Sequence, residues 1–521
     1  MRVKNSIINI SVGLGNQIII TLLSFFSRTV FIQTLGIEYL GVNGLFTSVL
    51  AMLTLAEAGI GSSIIYSLFK PVADNDIQKI NALMRLYKRA YAVIAAVVFV
   101  LGLALMPFLH LFVKDTHVEG LHLIYFIFLI NTVIPYLFQY KSSFLNVNQK
   151  GYIATAIFSV SSILSLLLKI GILYYTNNYI LYLVTDCVIT LINSAIVAVV
   201  VNRMYPFLRD KTKSVLDPLV KQDIIKNVKA IVLQNIGTYL IFGTDNIIIS
   251  SFVSVAAVGL YSNYNMLIEI CRTFINQVFN NIYHSIGNLV ASESAEKIFS
   301  VYKVYWLVNF WLYGFFTIFL YVVTEPFIKL WLGPSFLMEN SVLIVIMIVF
   351  FERGMRNAIS TVKNTAGIFH EDRYAPLVQA AINLGFSVWL VQVWGIAGVF
   401  LGTLISAVLV PIWRTPYLVY KKVFHKPFLK YVKTYVLYAL IGLTVCAVTK
   451  YVCSLIPAGL GEVPHLAIIV ILAIVIPNAI FVAIFHKTAE FAYIWTVAKG
   501  IVETMLGKFR RAGVNKKAEN A

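Results

Sequence analysis

Formal charge is scarce in this chain. Of its 521 residues only 12% are Asp, Glu, Lys or Arg, while 59% are hydrophobic. A soluble protein carries about 25% charged residues, so the deficit excludes a string of ordinary water-soluble domains and implies burial in lipid. Cysteine is scarcer. Cys187, Cys271, Cys446 and Cys453 all lie in apolar runs without a CxxC pair, which excludes a disulfide framework and a thiolate metal site. The eight histidines show no metal-ligand spacing. There is no GxxxxGK[ST] loop, HExxH, GxSxG or dinucleotide fingerprint. The longest polar connection, 202–229, is too short for a catalytic domain. Neither an enzyme nor a cofactor is expected.

What is present is a succession of apolar runs. Windows of about 20 apolar residues pick out fourteen spans. They lie near 10–33, 43–66, 90–112, 121–140, 153–174, 180–201, 230–250, 256–282, 304–324, 341–361, 375–393, 397–419, 434–453 and 466–486. Those near 256 and 341 are the least apolar. The basic N-terminus "MRVKN" precedes a run too long for a signal peptide and without an A-x-A site, so it reads as an uncleaved first span. The chain then divides into 1–201 (six spans), a basic linker 202–229, 230–419 (six spans), a further pair of spans in 420–486, and a basic tail 487–521.

Charge placement tests this topology. With the N-terminus inside the cell, only Lys114, Lys329 and Lys450 of the 41 Lys and Arg residues fall outside, and five fall within spans: Arg28, Lys169, Arg272, Arg353 and Arg356. The remainder are cytoplasmic, the positive-inside pattern. An odd number of spans would break it, so both termini are expected in the cytoplasm. Five acids lie within spans, Glu57, Asp186, Asp245, Glu269 and Glu352, and they balance the five cations. The net charge of +18 therefore belongs to the aqueous segments. It suits anionic inner-leaflet lipids and does not indicate nucleic acid.

An internal repeat is visible. "LGIEYLGVNGLF" (35–46) matches "VSVAAVGLYSNY" (253–264), setting Gly41 over Gly259, and "MPFLHLFV" (106–113) matches "EPFIKLWL" (325–332). A looser match sets Gln17 over Gln234, Thr21 over Thr238 and Arg28 over Asp245. Six spans per half preserve orientation, so the repeat is parallel, an arrangement suited to alternating access around a central cavity.

Polar residues form stripes on several spans. Gln17, Thr21, Ser24 and Arg28 share a helix face. So do Thr54 and Glu57, then Asp245 with Gln234, then Asn265, Glu269, Arg272 and Asn276, and then Arg353 and Asn357 with Arg356 alongside. An intramembrane charge costs about 2.5–3.5 kcal/mol on insertion scales, and lipid cannot satisfy such groups. The stripes therefore predict a hydrated interior. Pairing offers a second account: Arg28 with Glu57, Glu269 with Arg272 at i and i+3, and Lys169 with Asp186 as a structural bond.

The stretch "FFSRTVFIQTLGIEYLGVNGLFTSVLAMLTLAEAGIGSSIIYSLFKP" resembles the opening of Wzx-type polysaccharide flippases, and "LNVNQKGYIAT" (145–155) resembles their loop after the fourth span. That group belongs to the superfamily of multidrug (MATE), oligosaccharidyl-lipid and polysaccharide exporters. The resemblance extends over about 1–430. It implies an all-α membrane protein of two six-helix lobes that moves a polyprenyl-diphosphate-linked oligosaccharide to the outer leaflet, alongside polymerase and glycosyltransferases. It also implies a cationic cavity in which Arg28, Arg272, Arg353 and Arg356 hold diphosphate or acidic sugars. Guanidinium suits that role because it binds phosphate bidentately and keeps its charge. Asp245 and Glu269 add negative charge that suits sugar hydroxyls or a cation. Two alternatives stand beside this reading. One is a Na⁺- or H⁺-coupled MATE-like exporter, with Asp245 or Glu57 as the ion site. The other is a non-transporting scaffold of a glycan synthesis complex.

Overall fold

The computed structural model describes residues 2–57, 60–148, 150–209, 239–241, 243–368, 371–457, 459, 461–496 and 499–500. Most of the 202–229 linker, Gln234, Thr238, the tail beyond 500 and the Gln17 side chain lie outside the described residues. Every regular element among the described residues is helical. The helices form two compact units, Met1–Asn263 with Pro376–Ser406, and Tyr264–Ala375 with Ala407–Ala521.

In the first unit, α1 (Arg2–Leu35) and α2 (Ile37–Leu53) meet at Gly36 and bend by 119°. Gly36 takes φ 88, a conformation open to glycine at little cost. A 3₁₀ turn, Thr54–Glu57, leads to α3 (Ile60–Ala73). The next helix, α4 (Ile77–Leu105), is capped by Asp76, which accepts from Lys79 N at 3.0 Å and so satisfies an orphan N–H. The short α5 (Leu109–Phe112) precedes α6 (Leu121–Val133), and a turn holding Pro135 sets α7 (Gln139–Val147) at 42° to the α6 segment. Then α8 (Gly151–Thr176) and α9 (Tyr179–Met204) run antiparallel. Asn177 provides the left-handed turn between them and Asn178 caps α9. Helix α8 packs on α1, and α9 on α6. Two further helices follow, α10 (Asp245–Phe252), packed on α2 and α5, and α11 (Val255–Ser292), which belongs to this unit up to Asn263 and to the second from Tyr264.

The stretch Ala375–Leu409 is a hairpin. Trp394 and Gly395 leave helical geometry, Gly395 with φ 53. Beyond them the chain doubles back: Ser387 Oγ donates to Val399 O at 2.9 Å and Asn383 Nδ2 to Thr403 Oγ1 at 2.9 Å. In one straight helix, residues 20 apart would be about 30 Å apart. The two expected spans, 375–393 and 397–419, are thus separate segments turning at Gly395.

The second unit is organised on α12 (Ala295–Leu332), which packs against α13 (Asn340–Met355). Asn309 is fully buried in this contact and donates to Gly354 O at 2.9 Å. After α14 (Asn357–Thr365) and α15 (Pro411–Val419) come α16 (Leu429–Ser454) and α17 (Glu462–Phe485). Both of the last two pack on α12. Trp306 stacks on Tyr431 at 5.0 Å and Phe310 on Tyr438 at 4.5 Å, while Trp311 Nε1 donates to Asn478 Oδ1 at 2.8 Å. Each aromatic pair adds about 0.5–1.5 kcal/mol beyond area burial. The last two helices thus bury one aromatic face against α12, while Leu437, Leu443, Ile471 and Val475 leave their outer faces exposed.

Seven helical stretches among the described residues are long and apolar enough to cross a membrane, or nine if each bent pair is one span. Helices α11 and α13, in the regions expected to be least apolar, are not among the seven.

Candidate functional cavity

A cavity of about 520 Å³ lies among α1, α2, α6, α8 and α9. Its wall carries Ser24, Arg28, Asn43, Thr47 and Asn131 together with Lys169 and Asp186. Such a lining between apolar helices suits water or a polar ligand, since lipid could not satisfy it. On the other side of Lys169 and Asp186 lies a second cavity of about 690 Å³, lined by hydroxyls and amides of α7, α8 and α9 that include Ser142, Ser162 and Asn193. The ion pair stands in the wall shared by both.

Lys169 Nζ lies 2.8 Å from Asp186 Oδ1 and 4.5 Å from the centroid of Tyr182. Ser165 Oγ donates to the same carboxylate oxygen at 3.0 Å, and Asn131 Nδ2 to Oδ2 at 3.2 Å. The Lys169 side chain is 13% exposed, so the ammonium is held by a charge partner and an aromatic face. The pairing follows the sequence expectation, but the pair also lines the cavity, a role the polar-stripe reading gave to other residues. The available signal was one cation and one acid on consecutive spans.

Arg28 points elsewhere than the sequence suggests. Its Nη1 donates to Ser262 O at 2.8 Å and to Asn263 Oδ1 at 3.1 Å, both on α11. Glu57 accepts from Tyr91 Oη at 2.8 Å. No Arg28–Glu57 ion pair forms among the described residues, because each group meets a nearer partner on another helix. Asp245 opens α10, where a carboxylate complements the positive end of the helix dipole.

The other expected site residues lie in the second unit. Arg272 bonds to Glu269, as their spacing predicts, with the Glu269 side chain 47% exposed. Arg356 makes a two-point bond to Glu352, 2.5 Å from Nε and 3.0 Å from Nη2, at the junction of α13 and α14. Arg353 and Asn265 are half-buried and Asn276 is exposed. The ten residues therefore divide, with Gln17, Arg28, Glu57 and Asp245 in the first unit and Asn265, Glu269, Arg272, Asn276, Arg353 and Arg356 in the second. No group of three or more His, Cys, Asp and Glu able to hold a metal ion occurs among the described residues.

No family model and no curated protein matches the chain. Solved structures do. The lipid II flippase MurJ in an inward closed conformation aligns with a TM-score of 0.62 at 16% identity, covering 91% of this chain and 99% of that one. An inward-facing multidrug resistance MATE family transporter of the MOP superfamily aligns at 0.58 and 14%, covering 75% and 92%. The MATE multidrug transporter DinF-BH aligns at 0.56 and 16%, covering 79% and 94%. The chain is thus a multi-pass membrane protein with the fold shared by MATE transporters and a lipid II flippase.

Proposed function

We propose that this protein is a flippase. It carries a polyprenyl-diphosphate-linked oligosaccharide across a bacterial plasma membrane by alternating access, for assembly of a surface polysaccharide. The observation that carries the reading is the polar cavity, with Arg28 and Lys169 in its wall, set among helices otherwise apolar. The likeness to the lipid II flippase also extends over 91% of the chain, against 75% and 79% for the two MATE structures. A guanidinium and an ammonium with one carboxylate leave the wall of this cavity cationic, which favours an anionic headgroup. In this reading 1–201 and 230–419 act as the two lobes, both termini are cytoplasmic, and Arg272, Arg353 and Arg356 contribute cations from the second half.

A MATE-like cation-coupled exporter shares the fold, and Glu57 or Asp245 would hold its ion. The test is complementation of a strain lacking its own polysaccharide flippase. Wild-type protein should restore surface polysaccharide, and Arg28→Ala and Arg272→Ala should each lower it at least about tenfold, the effect of about 1.4 kcal/mol at a rate-limiting step. Normal export by both variants at equal protein level would remove the arginines from the transport path. Extrusion of a cationic dye without any polysaccharide would favour the exporter.

A further inference from the structure

Four contacts in the first unit form two mirrored pairs. Gly41 on α2 lies against the carbonyl of Val255, and a Cβ on Gly41 would overlap it. Gly259 on α11 lies against the carbonyl of Ile37, with the same overlap. Arg28 on α1 donates to Ser262 O at 2.8 Å, and Asn246 on α10 donates to Gly44 O at 3.4 Å. Ile37 and Val255 are 218 positions apart, as are Gly41 and Gly259, Gly44 and Ser262, and Arg28 and Asn246. Each contact therefore maps onto its mate when the two segments are exchanged, the signature of an isologous contact about a two-fold axis. Arg28 thereby takes Asn246 as its counterpart, one residue beyond Asp245.

This crossing sits where three helix connections gather. Ser250 Oγ donates to Phe112 O at 2.5 Å, Lys114 Nζ to Phe252 O at 3.3 Å, and His117 N to Glu38 Oε2 at 2.8 Å. On the positive-inside count these connections face outward.

We propose that the α2–α11 crossing is the outer gate of the transport cavity. Glycine at 41 and 259 lets the two backbones touch, and Arg28 and Asn246 close it from either side, Arg28 donating to Ser262 O and Asn263 Oδ1 and Asn246 to Gly44 O and Ser48 Oγ. The glycine–carbonyl approaches are individually weak, and the few polar bonds beside them are exchangeable for water, which suits a surface that separates and re-forms in every cycle. The inference rests on the transport reading, yet its test reads the opening of the gate whatever the cargo.

The test uses the full chain with its four cysteines replaced and a single cysteine introduced at Ser24 in the cavity wall. A membrane-impermeant maleimide is added outside intact cells. Gly41→Ala and Gly259→Ala should each raise labelling about tenfold by shifting the population towards the open gate. Gly171→Ala, whose Cβ would meet nothing within 4 Å, should leave it unchanged. Unchanged labelling in both gate variants would overturn the proposal. Should the alanine variants fail to accumulate, Gly44→Cys with Ser262→Cys provides a second route. A Cβ on Gly44 would stand 3.0 Å from Ser262 Oγ, within disulfide reach. Oxidation should lower outside labelling at position 24 about tenfold and reduction should restore it. Labelling indifferent to the disulfide would refute the gate.

Discussion

Lys169 and Asp186 show what single residues decide in this protein. Their charges are legible in the sequence as an intramembrane cation and acid, and their bond follows from α8 and α9 being antiparallel neighbours joined by a short turn. Removing one partner leaves the other charge without its counter-ion among apolar helices. Lys169→Met is therefore expected to lower stability by about 3 kcal/mol, the low end for a broken buried pair because the Asp186 side chain is 34% exposed. The double variant Lys169→Met with Asp186→Asn should recover at least half of that loss. Thermal denaturation of the purified protein in detergent checks both, and additive losses would mean that the two groups do not depend on each other. Arg28 carries the complementary lesson. Its presence on a polar face is readable from a 4, 3, 4 spacing, but its partners Ser262 and Asn263 lie more than 230 positions away, beyond anything that local periodicity encodes.

Among the elements, the 375–409 hairpin depends on one backbone conformation. Gly395 at φ 53 sits where a side chain would be strained, so Gly395→Ala should destabilise by about 1 kcal/mol. Gly171→Ala, in a helix with open space around it, should be neutral or slightly stabilising. Equal melting temperatures for the two variants would count against the strained turn. A second element follows α17. There Glu490 accepts from Lys303 at 2.6 Å, and Phe491 stacks on Trp311 at 5.9 Å. Burial pushes the Glu490 carboxyl up, but the hydrogen bond and charge of Lys303 outweigh it and hold it below its ordinary value. A carboxylate so lowered contributes stability above its unfolded-state value, and that stability is lost as pH falls through the folded one. Acid titration should therefore release this segment only below the ordinary carboxylate range, seen as a change in Trp495 fluorescence, and Glu490→Gln should abolish the pH step.

At the scale of the whole molecule, α16 and α17 carry a contact that the repeat does not encode. They fall outside the repeat and have few charges, which suggests an appendage. Their aromatic faces, however, meet α12 through Tyr431, Tyr438 and Phe481, and these three residues are buried. Truncation after residue 428 would strip that face from Trp306 and Phe310. The shortened chain is expected to fail to accumulate in the membrane, as an immunoblot of membrane fractions would reveal; normal accumulation would make the pair dispensable to the second unit.

The sequence by itself determined that this chain lives in a bilayer, that it is helical, and that each polar stripe carries charge. Those properties follow from composition and from periods of three and four residues, which are local. Only the tertiary structure decided where the charges sit and what Arg28 and Glu57 meet. It set the expected Lys169–Asp186 pair in the wall between two cavities, gave Glu57 to Tyr91, and turned Arg28 to a carbonyl on α11. A hydrogen bond needs its atoms within about 3 Å, and that distance is set by how helices remote in sequence pack. The contacts of Gly41 and Gly259 join both levels: their spacing is written in the repeat, and their meaning appears only where each backbone touches the other.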